Sequence, residues 1–485
     1  MLTRLFKLLR GLLVLVVIGA GAILAFRAWD SQRGPPLEPW HTFVPTELHV
    51  DALEKADWAA YLRNEDVIFR DVRREVIDRI SPETAVAANR YYAKSPIYPG
   101  NFRNDFNRSY VLEPEGPPVG VVVLLHGLTD SPYSLRHVAR RYRDRGFVAV
   151  AIRLPGHGTV PAGLTDVEWE DWDAATRLAV REARRRVGAG RPLHIVGFSN
   201  GGALAMKYAL DTLEKDTLAR PDRIVLVSPM IGVTSFARFA GFAALPAFLP
   251  AFAKAAWLGL LPEFNPFKYN SFPVNGAVQS HRLTDVLQDQ VARLARQDRL
   301  KGLPPIMTFQ SVVDFTVSTP AVISRLYNHL PANGSELVLF DLNRSAVISP
   351  LLRDAAETVL TRILPAPPRA YRTAIITNAS PDRLEVVELA TEAGATEEKR
   401  RPLDLAFPRE IFSLSHVALP FPMGDSLYGL RPDPGDEDFG VHLGEIAPRG
   451  ERGVLIVTLD TLVRVSSNPF FPYLLERIDE AIPRR

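Results

Sequence analysis

The sequence predicts an α/β fold built on a doubly wound, mostly parallel sheet, and three observations carry that prediction. Short apolar runs recur from residue 119 onward, among them "VGVVVLL", "FVAVAI", "LHIVGF" and "RIVLV". Their unbroken apolarity suits strands buried on both faces rather than strands with one wet face. Helix-like stretches such as "LRHVARRYRDRG", "WEDWDAATRLAVREARRRV" and "GGALAMKYALDTL" separate them, and that alternation requires crossovers that give a parallel sheet covered on both sides. Third, 485 residues with 47% hydrophobic content can bury a large core, as one large domain with insertions or as two domains.

Taken in order, the chain opens with a targeting pattern. After Arg4, Lys7 and Arg10, residues 11 to 26 carry no charge, and flanking leucines with Lys7 and Arg27 extend the run toward the ~20 residues that span a bilayer. Residues 1–30 read as a transmembrane signal anchor, with the N-terminus cytoplasmic and the remainder on the exported, periplasmic or extracytoplasmic side. A signal peptide cleaved near "AGA" at 20–22, which would leave a secreted chain, and a buried core helix are the alternatives. Residues 31–108 form a linker, stiffened by "RGPPLEP", and a helical extension in which Leu53, Trp58, Leu62, Val67, Val72, Val76 and Ile77 recur at helical spacing.

The first part of the α/β core spans 109–231. Residues 232–303, including "FARFAGFAALPAFLPAFAKAAWLGLLP", are apolar almost all round and read as a helical cap over a pocket, with a buried subdomain as the alternative. The core resumes over 304–344 with "PIMTFQSVVD" and "ELVLFDLN". A second insertion, 345–410, holds a hairpin turning at Pro381 and Asp382 and a charged run, "ATEEKRR", that reads as mobile. Residues 411–485 return to the core and end in a closing helix, "NPFFPYLLERIDEAI".

Composition removes several classes of function. Fifty-seven basic against 55 acidic residues give a net charge of +2, and the arginines are interleaved with acids, so nucleic acid is not an expected partner. Cysteine is absent, which excludes disulfides, thiolate metal sites and cysteine nucleophiles. No cluster of histidines and carboxylates has metal-ligand spacing, so neither a metal nor an organic cofactor is expected.

What remains is serine, histidine and carboxylate chemistry. Gly197-Phe198-Ser199-Asn200-Gly201 matches G-x-S-x-G between an apolar strand and a small-residue helix, the context of a nucleophile elbow. There Gly197 and Gly201 let strand and helix pass closely while Ser199 takes a strained conformation. The tight turn after His126-Gly127 leaves the Leu128 amide free to pair with that of Asn200 as an oxyanion hole, the His126 side chain itself only packing and capping the turn. Asp314, ending "FQSVVD", stands where the orienting acid belongs, with Asp341 as its rival. Of the downstream histidines, His416 in "SLSHVALPF" is favoured as base over His442, in an acidic loop, and His329, too close behind the acid.

At these residues the chain resembles the α/β-hydrolase superfamily, within it the esterase and monoacylglycerol-lipase-like branch. The resemblance is carried by "HGLTDSPYSL" at 126, "RLPGHGT" at 153, "EWEDW" at 168, "GFSNGG" at 197, "SPM" at 228 and "VVDFTV" at 312. It implies Ser199 as nucleophile, Asp314 as acid, His416 as base, and Leu128 and Asn200 as oxyanion donors. The implied activity is hydrolysis of carboxylic esters with apolar acyl parts, on small-molecule or lipid-like substrates near a membrane. A thioesterase, an acyltransferase or a non-catalytic binding protein of the same fold shares these residues. One departure stands out: the family places its histidine soon after the last core strand, and "RSAVISPLLRDAAE" has none.

Overall fold

The computed structural model describes residues 2–232, 247, 250–346, 348–353, 359–409, 411–445 and 467–482. One ten-stranded sheet organises it. Its strands are β1 (Tyr110–Leu112), β2 (Gly120–Leu125), β3 (Phe147–Ile152), β4 (Leu193–Phe198), β5 (Arg223–Val227), β6 (Ile306–Ser311), β7 (Glu336–Phe340), β8 (Arg372–Asn378), β9 (Glu385–Thr391) and β10 (Glu398–Ala406). They lie in the order β1-β3-β2-β4-β5-β6-β7-β8-β9-β10. From β3 to β8 every neighbouring pair is parallel, and antiparallel strands close both edges.

The apolar runs are continuous because alternate side chains serve two different cores. Val121, Val123 and Leu125 of β2 pack into a cluster with Leu178, Leu204 and Leu287, whereas Val122 and Leu124 face Val138, Tyr142, Leu474 and Ile478. The principal helices are α1 (Leu2–Ser31), α2 (Val50–Lys55), α3 (Trp58–Glu75), α4 (Arg136–Asp144), α5 (Trp169–Val187), α6 (Asn200–Asp211), α7 (Val274–Arg296), α8 (Thr319–Arg325) and α9 (Phe471–Glu480). Helices α5, α6 and α7 cover one face of the sheet, and α4 and α9 cover the other. A period of two on the strands thus meets helices on both sides, as a doubly wound sheet requires.

Several expectations change, the first two within the second insertion. The charged run "ATEEKRR" is not a loose segment: residues 398–401 begin β10, with Arg401 opposite Glu388 and Glu398 opposite Thr391. Its charge reflects its place, because an exposed edge strand is protected from pairing with other chains by charged side chains. The second insertion is likewise not set apart from the core, since β8 pairs in parallel with β7 and carries the hairpin strands outward.

A further change concerns residues 1–30. Among the described residues no helix is long and apolar enough to cross a membrane, so the expected span has no support in the structure. Helix α1 exposes Phe6, Leu12, Leu15 and Ile18, but Lys7, Arg10, Gly11, Gly19 and Gly21 lie exposed among them, which dilutes its apolar surface.

The cap sequence at 233–246 and 248–249 lies outside the described residues. Further along the chain come a two-stranded ribbon, Trp257–Gly259 with Phe272–Pro273, and then α7. This helix is amphipathic rather than apolar all round: Leu283, Leu287, Val291 and Leu294 are buried, at the spacing of one helical face.

The N-terminal extension is tied to the core by buried charge. Arg153, fully buried after β3, holds Glu47 through two hydrogen bonds of 2.7 and 2.9 Å and Glu65 at 3.2 Å. The Tyr61 hydroxyl donates to the Arg153 carbonyl. Removing one member of such a group leaves a charge without its partner in a low-dielectric interior, which costs far more than an exposed pair is worth.

Candidate active site

Ser199 follows β4 at the middle of the sheet and caps α6 with φ 54° and ψ −114°, a left-handed conformation rare outside glycine. The surroundings hold it there. A Cβ on Gly197 would stand 2.3 Å from the Gly201 carbonyl oxygen, and one on Gly201 would stand 2.0 Å from that of Leu125. Gly202, next in the run, would meet Pro229 at 2.7 Å. The Ser199 amide donates to Val227 at 3.0 Å and its carbonyl accepts from Met230 at 2.9 Å. The serine is therefore fixed from both sides chiefly by backbone packing, and the residue is 8% exposed.

Asp314 follows β6, and its Oδ2 lies 2.9 Å from Nδ1 of His416. The other carboxylate oxygen accepts from the amides of Thr316 (2.8 Å) and Val317 (2.9 Å), and Gln310 Nε2 donates to Oδ2 at 3.1 Å. Burial alone would push this carboxyl up, but the His416 contact and the two amides outweigh burial and hold it below its ordinary value. His416 sits on a single turn, His416–Ala418, with its ring stacked on Phe198, centroids 5.3 Å apart. Asp341, the rival acid, is engaged elsewhere, by Arg344 at 2.5 Å and Thr377 at 2.8 Å. His442 bonds the Ser426 carbonyl, and His329 ends a short turn on the surface.

The long detour between β7 and His416 has a structural account. Asn343, just past β7, donates its amide to Phe412 (2.8 Å) and its side chain to Ile411 (3.0 Å). This pair pins the returning segment beside the strand end from which β8–β10 departed, and His416 follows four residues after Phe412, in contact with Asp314. Asp425 secures the loop beyond. It is fully buried and accepts from Arg136 (2.7 Å), His137 (2.9 Å), Tyr133 (3.1 Å) and the amides of Leu427 and Tyr428. Burial would raise its pKa; Arg136 foremost among these partners holds it well below the carboxylate range.

The Leu128 loop meets Ser199 at close range, a Cβ on Gly127 falling 3.2 Å from that of Ser199. Neither the Leu128 amide nor that of Asn200, the first residue of α6, has a hydrogen-bond partner among the described residues. His126 does more than pack. Its Nδ1–H donates to the Gly127 carbonyl (2.9 Å) and its Nε2 accepts from the Leu154 amide (3.0 Å). Burial, first of several causes, holds it well below its ordinary pKa, which keeps the neutral tautomer this pattern needs. Asp130 in the same loop is also buried, and burial pushes its carboxyl up to about 6 against the pull of Lys268.

Ser199, His416, Leu128 and Phe198 line one cavity of about 360 Å3, closed on the other side by Met230, Lys268, Tyr269 and, from α7, Ala277 and Ser280. Its wall is mainly apolar, with a few polar side chains, among them Lys268, Asn270 and Ser280, the composition of a small-molecule site. Among the described residues no group of three or more histidines and carboxylates comes together as a metal site. Gln310, Asn343 and Asp425 were not singled out in the sequence: each acts through partners distant along the chain, and no local pattern marks them.

A model of the alpha/beta hydrolase family matches residues 122–428, and the chain belongs to that family. A thermostable monoacylglycerol lipase of Bacillus sp. strain H-257 is 33% identical over 95 residues, 20% of this chain and 36% of the lipase. The chain thus aligns with about a third of that relative's length. Among solved structures, a metagenome-derived lipolytic enzyme is similar at 23% identity and TM-score 0.40, over 53% of this chain and 95% of its own. A soluble variant of monoglyceride lipase from Saccharomyces cerevisiae is similar at 16% identity and TM-score 0.37, over 48% and 81%.

Proposed function

We propose that this alpha/beta hydrolase is a serine hydrolase of carboxylic esters with an apolar acyl or alkyl part. Family membership and a lipase relative support ester hydrolysis in general. The observation that carries the finer reading is the 2.9 Å bond between His416 and Asp314 in the cavity that Ser199 lines. With Nδ1–H donated to Asp314, neutral His416 keeps Nε2 as an acceptor for the Ser199 proton. Ser199 attacks the ester carbonyl, the amides of Leu128 and Asn200 hold the developing oxyanion, and the alcohol leaves with the proton from His416. Water deprotonated by His416 then releases the acid from the acyl-enzyme. The apolar wall of the cavity favours aliphatic over charged acyl groups.

A fluorophosphonate probe tests the assignment. It is expected to label the protein, and to label neither Ser199→Ala nor His416→Ala; an unlabelled wild type, or labelling that survives Ser199→Ala, overturns it. Export of the catalytic region remains a separate proposal that rests on the basic-then-apolar order of residues 4 to 26. A reporter fused after residue 108 that is active only in the cytoplasm would sink it.

A further inference from the structure

A second cavity, of about 380 Å3, lies outside the catalytic one, between α3 and the chain at 90–108. Its distinctive member is Arg90. This arginine is 2% exposed, yet among the described residues no carboxylate stands within ion-pair distance of it. Its guanidinium donates only to neutral oxygens, the Asn265 carbonyl at 3.2 Å and Asn107 Oδ1 at 3.0 Å, and its Nε–H has no acceptor. Burial raises the pKa values of the carboxylates Asp105 and Glu263, and the Arg90 charge works against that rise; the guanidinium also stands over the rings of Tyr91 and Tyr269 at 5.5 and 6.0 Å. Neither acid meets it in contact, whereas buried arginines are ordinarily paired directly.

The nearby acids do not fill that role. Asp105, which lines the same cavity, already accepts from the amide and side chain of Asn107 and pairs with Arg108 at 3.8 Å. Glu263 is capped by the amides of Asn270 and Ser271. Arg70, Arg73 and Arg108 also line the cavity; Arg108 pairs with Asp66 at 2.7 Å and Arg73 only loosely with Asp78 at 3.9 Å. Four arginines thus line the cavity with one carboxylate, Asp105. The rest of the wall is apolar and aromatic, with Phe69, Tyr91 and Tyr98.

From the unpaired guanidinium and this wall we propose that the cavity binds a small amphipathic carboxylate, with Arg90 on its head group and the rings along its aliphatic body. The planar fork of arginine matches two carboxylate oxygens, and Asp105 beside it disfavours a dianion. The site is separate from the catalytic cavity. The wall between them is the pair Thr159, which lines the second cavity, and Tyr269, which lines the first, with the Thr159 amide donating to the Tyr269 hydroxyl at 2.8 Å.

Calorimetric titration of the full chain with octanoate tests this, using octylamine and inorganic phosphate as comparison probes. Octanoate is expected to bind wild type, and to bind Ala277→Trp, whose catalytic cavity is filled, with unchanged affinity. Arg90→Met should weaken it by about ten-fold or more, the effect of losing a hydrogen bond to a charged group. Should Arg90→Met fail to fold, Ile77→Trp, which fills the second cavity from its half-buried rim, is expected to lose binding equally. No binding by wild type, loss of binding in Ala277→Trp, undiminished binding in the second-cavity variants, or equal binding of octylamine overturns the proposal. Saturable binding of phosphate without octanoate overturns the carboxylate assignment.

Discussion

Ser199 and His416 face one cavity but are held by different kinds of structure. What fixes Ser199 is chiefly backbone: a strand, a turn and a helix passing so closely that a methyl group at Gly201 would reach 2.0 Å from a carbonyl oxygen. His416 is held by side chains from distant parts of the chain. Asp314 and Phe198 fix its ring, Asn343 fixes the segment before it, and Asp425 fixes the loop after it. The first arrangement tolerates no substitution but is written in a few consecutive residues. The second is spread over more than a hundred residues and fails one contact at a time.

Substitutions in the two regions should therefore break differently. On the proposed mechanism Asp314→Asn has the largest effect, about a 10^4-fold loss of turnover on a p-nitrophenyl ester, because the amide favours the wrong imidazole tautomer; a loss under ten-fold would remove Asp314 from the triad. The same residue gives a pH dependence. Its folded pKa lies below the unfolded one, so its stabilisation is complete above the unfolded value of about 4 and is lost as pH falls through the folded pKa. Urea titrations at stepped pH should show wild type losing stability in acid more steeply than Asp314→Asn.

Gly201→Ala should come next, destabilising the fold by about 4 kcal/mol or leaving it insoluble, since the obstacle is backbone that cannot move aside. A soluble protein with an unchanged melting temperature would show that the elbow is looser than its geometry. Asp425→Asn should cost about 3 kcal/mol by stranding buried Arg136, and should lower turnover through His416 while leaving the Ser199 elbow intact. Equal loss of stability without loss of turnover would separate that loop from the site. The smallest effect is expected at Asp130. Its folded pKa, about 6, lies above its unfolded value, so its favourable contribution is complete below about pH 4 and is lost as pH rises through 6. Asp130→Asn should therefore be more stable than wild type at pH 8 by about 1 to 2 kcal/mol, and not at pH 4.

How much of this was legible obeys the same division. The strands β2, β3, β4, β5 and β7 are largely apolar runs, and burial on both faces leaves that mark in a sequence. The strand β10 was not legible, because "EKRRPLDLA" opens with the charges of an edge, and its apolar contacts, Leu403 and Leu405, come only at its end. Ser199 could be named outright, and the order Ser, Asp, His along this topology narrowed the acid to Asp314 or Asp341 and favoured His416 among the histidines; the contact between His416 and Asp314 came from the structure. Gln310, Asn343, Asp425 and the unpaired Arg90 could not be named, because an ordinary polar residue becomes distinctive only through what surrounds it.

By itself, the sequence determined the sheet, the elbow and the kind of chemistry open to it, since strand burial and close glycine packing are local and leave periodic or consecutive signals. Which histidine meets the acid, and where the insertion after β7 goes, were decided only by tertiary structure. Those depend on hydrogen bonds such as Asn343 to Phe412 and His416 to Asp314, whose partners are separated by 69 and 102 positions in the chain, and no spacing rule connects residues so far apart.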